Sequence, residues 1–180
     1  MTTHVKQKLV LVTCLVRTTL AVLAASLVSS ALFTQEAQAA PVTGEIGFTG
    51  SAHFDTNSLA TATRVTEWRN ACGTLGVLTV SNVVGADYAA FVHPCENATM
   101  AAPWVFNPSV PTPALWSVGG FTFTLTSDVV VLQTATFLNI TGTGTVSGNG
   151  FAPTPAHWAF TTQSARGHTE TFFSISADTR

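Results

Sequence analysis

Aromatic and aliphatic residues alternate strictly with threonine through Phe121-Thr122-Phe123-Thr124-Leu125-Thr126, the two-residue period of a strand with one face buried and the other wetted. Gly119-Gly120 before this run and Ser127-Asp128 after it read as turns. The same period predicts strands near 43–48, 62–68, 75–84, 88–92, 115–118, 129–137, 138–147, 157–162 and 171–177, nine or ten short strands in all. Gly73, Gly85-Ala86-Asp87, Ser147-Gly148-Asn149-Gly150 and Gly167 punctuate them, at the spacing of an antiparallel sandwich or barrel. No twelve-residue window after residue 40 carries a 3.6-residue period, and 58–63 (SLATAT) is the best place for a helical turn. The expected fold is an all-β antiparallel sandwich, jelly-roll-like.

The pattern breaks at 94–113, which holds five of the eight prolines. Proline cannot donate to a ladder, so this stretch reads as a structured loop or sheet edge. Its Trp104 and Phe106, with Trp116 beyond, have two readings: caps on the core, the more economical one, or an exposed platform for a ligand. Alternation puts at least some of the four tryptophans in the core, as in 65–68 and 157–160.

Only 9% of residues are charged against 46% hydrophobic, which excludes a disordered chain. The N-terminus adds an address. His4, Lys6 and Lys8 precede an apolar run over 18–33, then Ala37-Gln38-Ala39 and Ala40-Pro41, the three parts of a secretory signal. The run is shorter than the roughly 20 residues of a membrane span, although 9–16 extends the apolar stretch and keeps an uncleaved anchor as the alternative. The expected cut falls between Ala39 and Ala40, leaving 141 residues, one domain by size. That domain has no lysine, four arginines and eight acids, so no basic patch for nucleic acid or anionic lipid can form. Its two cysteines, Cys72 and Cys95, are expected to pair in an oxidising compartment. Such a bridge would close a loop of about 24 residues and contribute roughly 3 kcal/mol. Unpaired thiols are the alternative.

The chemistry-bearing spacings fail one by one. Gly144-Thr145-Val146-Ser147-Gly148 has one residue too many for a nucleophile elbow. Gly142-Thr143-Gly144 lacks the third glycine and following helix of a dinucleotide loop. His53, His93, His157 and His168 stand singly, without metal-ligand spacing. Asp55-Thr56-Asn57 alternates oxygen ligands as a calcium loop does but lacks its glycine and distal Glu. Asp55 and Glu67 are the pair a hydrolase would use, with nothing in the spacing to set their separation. The expectation is no catalytic residue, no metal and no cofactor. Thr122, Thr124 and Thr126, with Thr141, Thr143 and Thr145, form a potential hydroxyl ladder for ice or a crystalline polysaccharide, or serve simply as outward strand positions. Sequons at Asn97 and Asn139 matter only in a host that glycosylates them.

Several short runs carry a resemblance: Ile46-Gly47-Phe48-Thr49-Gly50 leading to Asp55-Thr56; Ala60-Thr61-Ala62-Thr63 leading to Val65-Thr66-Glu67-Trp68; Pro103-Trp104-Val105-Phe106-Asn107; Trp116-Ser117-Val118-Gly119-Gly120-Phe121; and 142–160. In these the chain resembles a family of uncharacterised bacterial secreted β-proteins, many of which carry a PEP-CTERM sorting tail. The resemblance implies an extracellular β-domain and no established catalytic residues. The sequence ends Asp178-Thr179-Arg180 without such a tail, so release or periplasmic retention is expected instead of exosortase sorting. The functional expectation is a bacterial secreted or periplasmic protein with a structural or binding role toward polysaccharide or matrix, free of the membrane once cleaved. A carbohydrate-binding module using exposed tryptophans comes second and a hydrolase third.

Overall fold

Residues 39–180 form one unit of the chain, and the computed structural model describes residues 39–163 together with the backbone of 175–179. The expected signal segment up to residue 38 lies outside the described residues, as does the 171–174 part of the last predicted strand. The chain is all-β. Its strands are β1 (Gly44–Thr49), β2 (Ser51–Phe54), β3 (Arg64–Arg69), β4 (Val77–Val84), β5 (Asn97–Met100), β6 (Trp104–Val105), β7 (Thr112–Val118), β8 (Phe121–Gln133), β9 (Phe137–Gly148), β10 (Phe151–Gln163) and β11 (Ile175–Thr179).

Seven of them form one curled antiparallel sheet in the order β1-β4-β5-β7-β8-β9-β10, and β11 pairs with both β10 and β1, joining its two edges. Strands β2, β3 and β6 make a second, smaller sheet, and the core lies between the two. Trp68 and Trp104 stack at 5.9 Å and 16° on the small sheet's inner face. Both meet Phe160 of β10 edge-on, at 5.9 Å and 5.4 Å. All four tryptophans are essentially inaccessible to solvent.

The large sheet holds these rings through an unusual middle strand. On β9, Thr141, Thr143 and Thr145 point outward, leaving Gly142 and Gly144 as inward residues, in register with Trp158 and Ala156 of β10. Strands β8 and β10 flank β9 and are therefore about 9.5 Å apart. Yet Phe123 of β8 and Trp158 of β10 stack at 5.9 Å and 22°. Phe123 reaches over Gly144, where a Cβ would lie 2.6 Å from its ring, and Gly142 makes room in the same way for Leu125, at 2.8 Å. Trp116, paired with Phe123 across β7 and β8, extends the stack at 5.8 Å and 14°.

Four local expectations are corrected. Ser127-Asp128 is no turn: β8 runs straight through it with a β-bulge between Leu125 and Ser127. Residues 88–92 are no strand: Ala86–Ala89 is a helical turn, held by Asp87 accepting from the Thr43 backbone N–H at 2.9 Å and its hydroxyl at 2.7 Å, which seats Tyr88 against Phe121. The 94–113 stretch contributes β5, β6 and the start of β7. Cys72 and Cys95 are exposed, free thiols, and the expected bridge is not formed. Each sits in its own tight backbone feature: Cys72 donates its N–H to Asn70 Oδ1, and Cys95 takes a left-handed conformation, φ 73°. Two readings hold as expected. A short 3₁₀ turn occupies Leu59–Thr61, and Asn149-Gly150, both at positive φ, join β9 to β10.

Gly144→Ala places a methyl group into the Phe123 ring and the β8 backbone. It should cost about 1–3 kcal/mol, the usual range for overpacking, read as a lower urea midpoint. Thr143→Ala, one residue away on the outward face, should change stability by less than about 0.5 kcal/mol.

Candidate functional site

The structure buries each residue proposed as a ligand platform. Trp104 and Trp116 are 0% exposed and Phe106 is 2% exposed, so the exposed-platform reading has no surface and the core reading stands. The cause is tertiary: Phe106 packs at 5.5 Å on Trp104 and at 6.4 Å on Phe54, because β6 pairs with β3 and shares its inner face.

The hydrolase pair is taken up by local structure. Asp55 accepts from the Thr63 N–H and hydroxyl and from the Arg64 N–H, stapling the loop between β2 and β3. Its carboxyl is pushed up by burial, but these hydrogen bonds outweigh that and hold it below the ordinary aspartate value. The same bonds use the oxygens that a calcium loop would offer. Glu67 is held instead by Arg69, at 2.6 Å, with His53 4.0 Å away. Each carboxylate thus has its own partners. Among the described residues no three His, Cys, Asp or Glu side chains are grouped to hold a metal ion.

What the fold does assemble is a surface. Between Glu96 and Arg166 the chain contains no Asp, Glu, Lys or Arg except Asp128, and Asp128 is buried. Strands β7 to β10 therefore present an outer face without an Asp, Glu, Lys or Arg side chain, on which the His157 imidazole is the titratable group. Their register sets it out in rows: Ser117, Thr122 and Ser147; then Thr124, Thr145 and Pro155; then Ser127, Thr143 and His157; then Val129, Thr141 and Ala159. Rows repeat about every 6.7 Å along the strands and columns about every 4.8 Å across them. Neighbouring hydroxyls pair at 3.1 Å, Ser117 with Thr122 and Ser127 with Thr143. The bulge in β8 brings Ser127 onto this face and turns Asp128 off it.

Beyond the hydroxyls the face turns apolar. Val129, Val131 and Leu132 are 65%, 56% and 48% exposed. A hydroxyl donates and accepts at once, so a grid of hydroxyls bordered by aliphatic groups suits a partner that also offers hydroxyls and C–H faces. The threonine alternation on β8 and β9 signalled this surface in the sequence. The rows were not readable there, because they depend on how β8, β9 and β10 are aligned.

A scan against protein-family models, a search of curated proteins and a search of solved structures each found no match. The site therefore stands on its own geometry.

Asp55 sets the pH prediction. Because its folded value is depressed, its contribution is fully present above the unfolded value of about 3.9 and is lost as pH falls through the folded value. Asp55→Asn should lower stability at pH 7 by about 2 kcal/mol, the scale of a hydrogen bond to a charged group. That difference should shrink toward zero in acid, as followed by urea unfolding at several pH values.

Proposed function

We propose that this is an exported bacterial protein that binds a neutral, hydroxyl-rich polysaccharide surface through the outer face of β7 to β10. The single observation that carries the reading is the outer face without Asp, Glu, Lys or Arg, with rows of Ser and Thr on β7 to β9 that run on to Pro155, His157 and Ala159 of β10 and an aliphatic border. A partner carrying phosphates or carboxylates would find no Lys or Arg there, and a neutral glycan offers matching hydroxyls together with the C–H faces of its rings. Removing water from hydroxyls costs far less than removing it from charges, so a broad face of this kind can dock without a desolvation penalty from ion pairs. Binding by a surface of strands, and not by stacked tryptophans, agrees with the burial of all four indoles.

Export rests on the sequence: the basic start, the apolar run and Ala37-Gln38-Ala39. Residues 40 and 42 are bonded into the domain. Ala40 C=O accepts from Ala152 N–H at 2.9 Å, and Val42 N–H donates to Thr154 Oγ1 at 2.9 Å. A cut between Ala39 and Ala40 would leave both bonds intact. The resemblance to secreted bacterial β-proteins points the same way.

Two experiments test the reading. The purified protein, mixed with insoluble cellulose or chitin, should sediment with the polymer, and 1 M NaCl should not release it, because salt screens charges and not hydroxyl contacts. Thr124→Lys and Thr143→Glu, which put charges on the face, should weaken sedimentation at least tenfold. Failure to sediment with any neutral polymer, or release by salt, would remove the proposal. Separately, intact mass of the protein recovered from a bacterial host should give a chain beginning at Ala40. A full-length, membrane-bound species would replace export with anchoring.

A further inference from the structure

Asp128 is the one residue of the charge-poor half of the domain that carries a carboxyl, and the bulge in β8 turns it into the core. It is 5% exposed. Oδ2 accepts from the Trp104 indole N–H at 3.1 Å, and its backbone N–H donates to Ser109 Oγ at 2.9 Å. Oδ1 has no hydrogen-bond partner among the described residues. A carboxylate offers about four acceptor sites, so an ionised Asp128 would be a poorly satisfied charge in an aromatic core, which is costly.

Among the described residues no cation is placed to offset that cost. The elements packed around Asp128 bring Trp104 from β6, Gly142 opposite it on β9, Trp158 beyond on β10, and Ser109. None of these is ionisable in the range between acid and neutral pH. His157 on β10 lies on the outer, exposed face. Arg64, on β3 alongside β6, is exposed and lies 3.8 Å from Asp55. Among the described residues, then, the surroundings of Asp128 favour a neutral carboxyl.

We propose that Asp128 is a proton-binding clasp: holding its proton, it keeps the Trp104–Ser109 segment seated against β8, and losing it, it releases that segment. Two hydrogen bonds join Asp128 to the proline-rich segment, the carboxyl accepting from Trp104 and the backbone N–H donating to exposed Ser109. Neither needs the proton, and what loosens the segment on ionisation is the buried charge, which only entering water can solvate. Loosening Ser109 gives water a short route to the carboxyl. Burial raises the carboxyl above the ordinary aspartate value, and the Trp104 indole N–H, which pulls the other way, does not cancel it. The sign follows. A carboxyl raised in the folded state stabilises fully below its unfolded value and loses that contribution as pH rises through the folded value, opposite to Asp55.

The test is a titration of the wild-type protein by carboxyl carbon NMR, with hydrogen exchange at the Trp104 indole followed in parallel. The Asp128 carboxyl should titrate well above about 3.9. Through the same midpoint the Trp104 indole protection factor, corrected for intrinsic exchange, should fall at least tenfold. In Asp128→Asn, whose side chain cannot ionise, protection should stay level over that interval. Titration at or below the free value overturns the proposal, as does indole protection that ignores the transition. If Asp128→Asn does not fold, the wild-type titration and exchange decide the matter alone.

Discussion

The fold depends on two aromatic rings meeting across a strand that would normally separate them. Phe123 and Trp158 stand on β8 and β10, with β9 between, and they stack with Phe123 reaching over Gly144, where a Cβ would lie 2.6 Å from its ring. From that contact the rest of the core is reached by touch. Trp116 stacks on Phe123, Phe48 leans on Trp116, Trp104 meets Trp158 edge-on, and Trp68 stacks on Trp104. Ring pairs of this kind each contribute about 0.5–1.5 kcal/mol beyond the area they bury. A chain of them links both sheets without a disulfide, which fits two cysteines left free on the surface.

The glycines that admit the rings also shape the outer face. A strand reading Thr-Gly-Thr-Gly-Thr sends its hydroxyls out and nothing in, so the demands of the core and of the surface are met by one alternation. The surface gains uniformity, since the outward positions need no charge to balance a partner within the sheet. Charge is concentrated elsewhere: Arg64 with Asp55 and Arg69 with Glu67 on the small sheet, Asp87 at the helical turn, Glu96 beside His93.

The bulge in β8 is where the two requirements meet. One extra residue at Thr126 shifts the phase of the strand, so that Ser127 joins the outer grid beside Thr143 and Asp128 drops into the core beside Trp104. Without the shift the carboxyl would face outward and interrupt the charge-free surface. Bulges commonly re-aim a side chain in this way, and here the re-aimed group is the one carboxyl of the described residues held deep among aromatics.

The sequence by itself determined that the chain is all-β, that Phe121, Phe123 and Leu125 face in while Thr122 and Thr124 face out, and that turns fall at Asn149-Gly150 and near Leu59. Those readings rest on a period of two residues and on the backbone freedom of single positions, both local. Only the tertiary structure decided that Trp104, Phe106 and Trp116 are core, that a bulge at Thr126 carries β8 through Ser127-Asp128, that Tyr88 sits on a helical turn, and that Cys72 and Cys95 stay apart. The first three depend on a partner distant in sequence: β3 beside β6, β9 beside β8, Thr43 beside Asp87. Period alone cannot name such partners, because burial is a property of the pair of surfaces that meet.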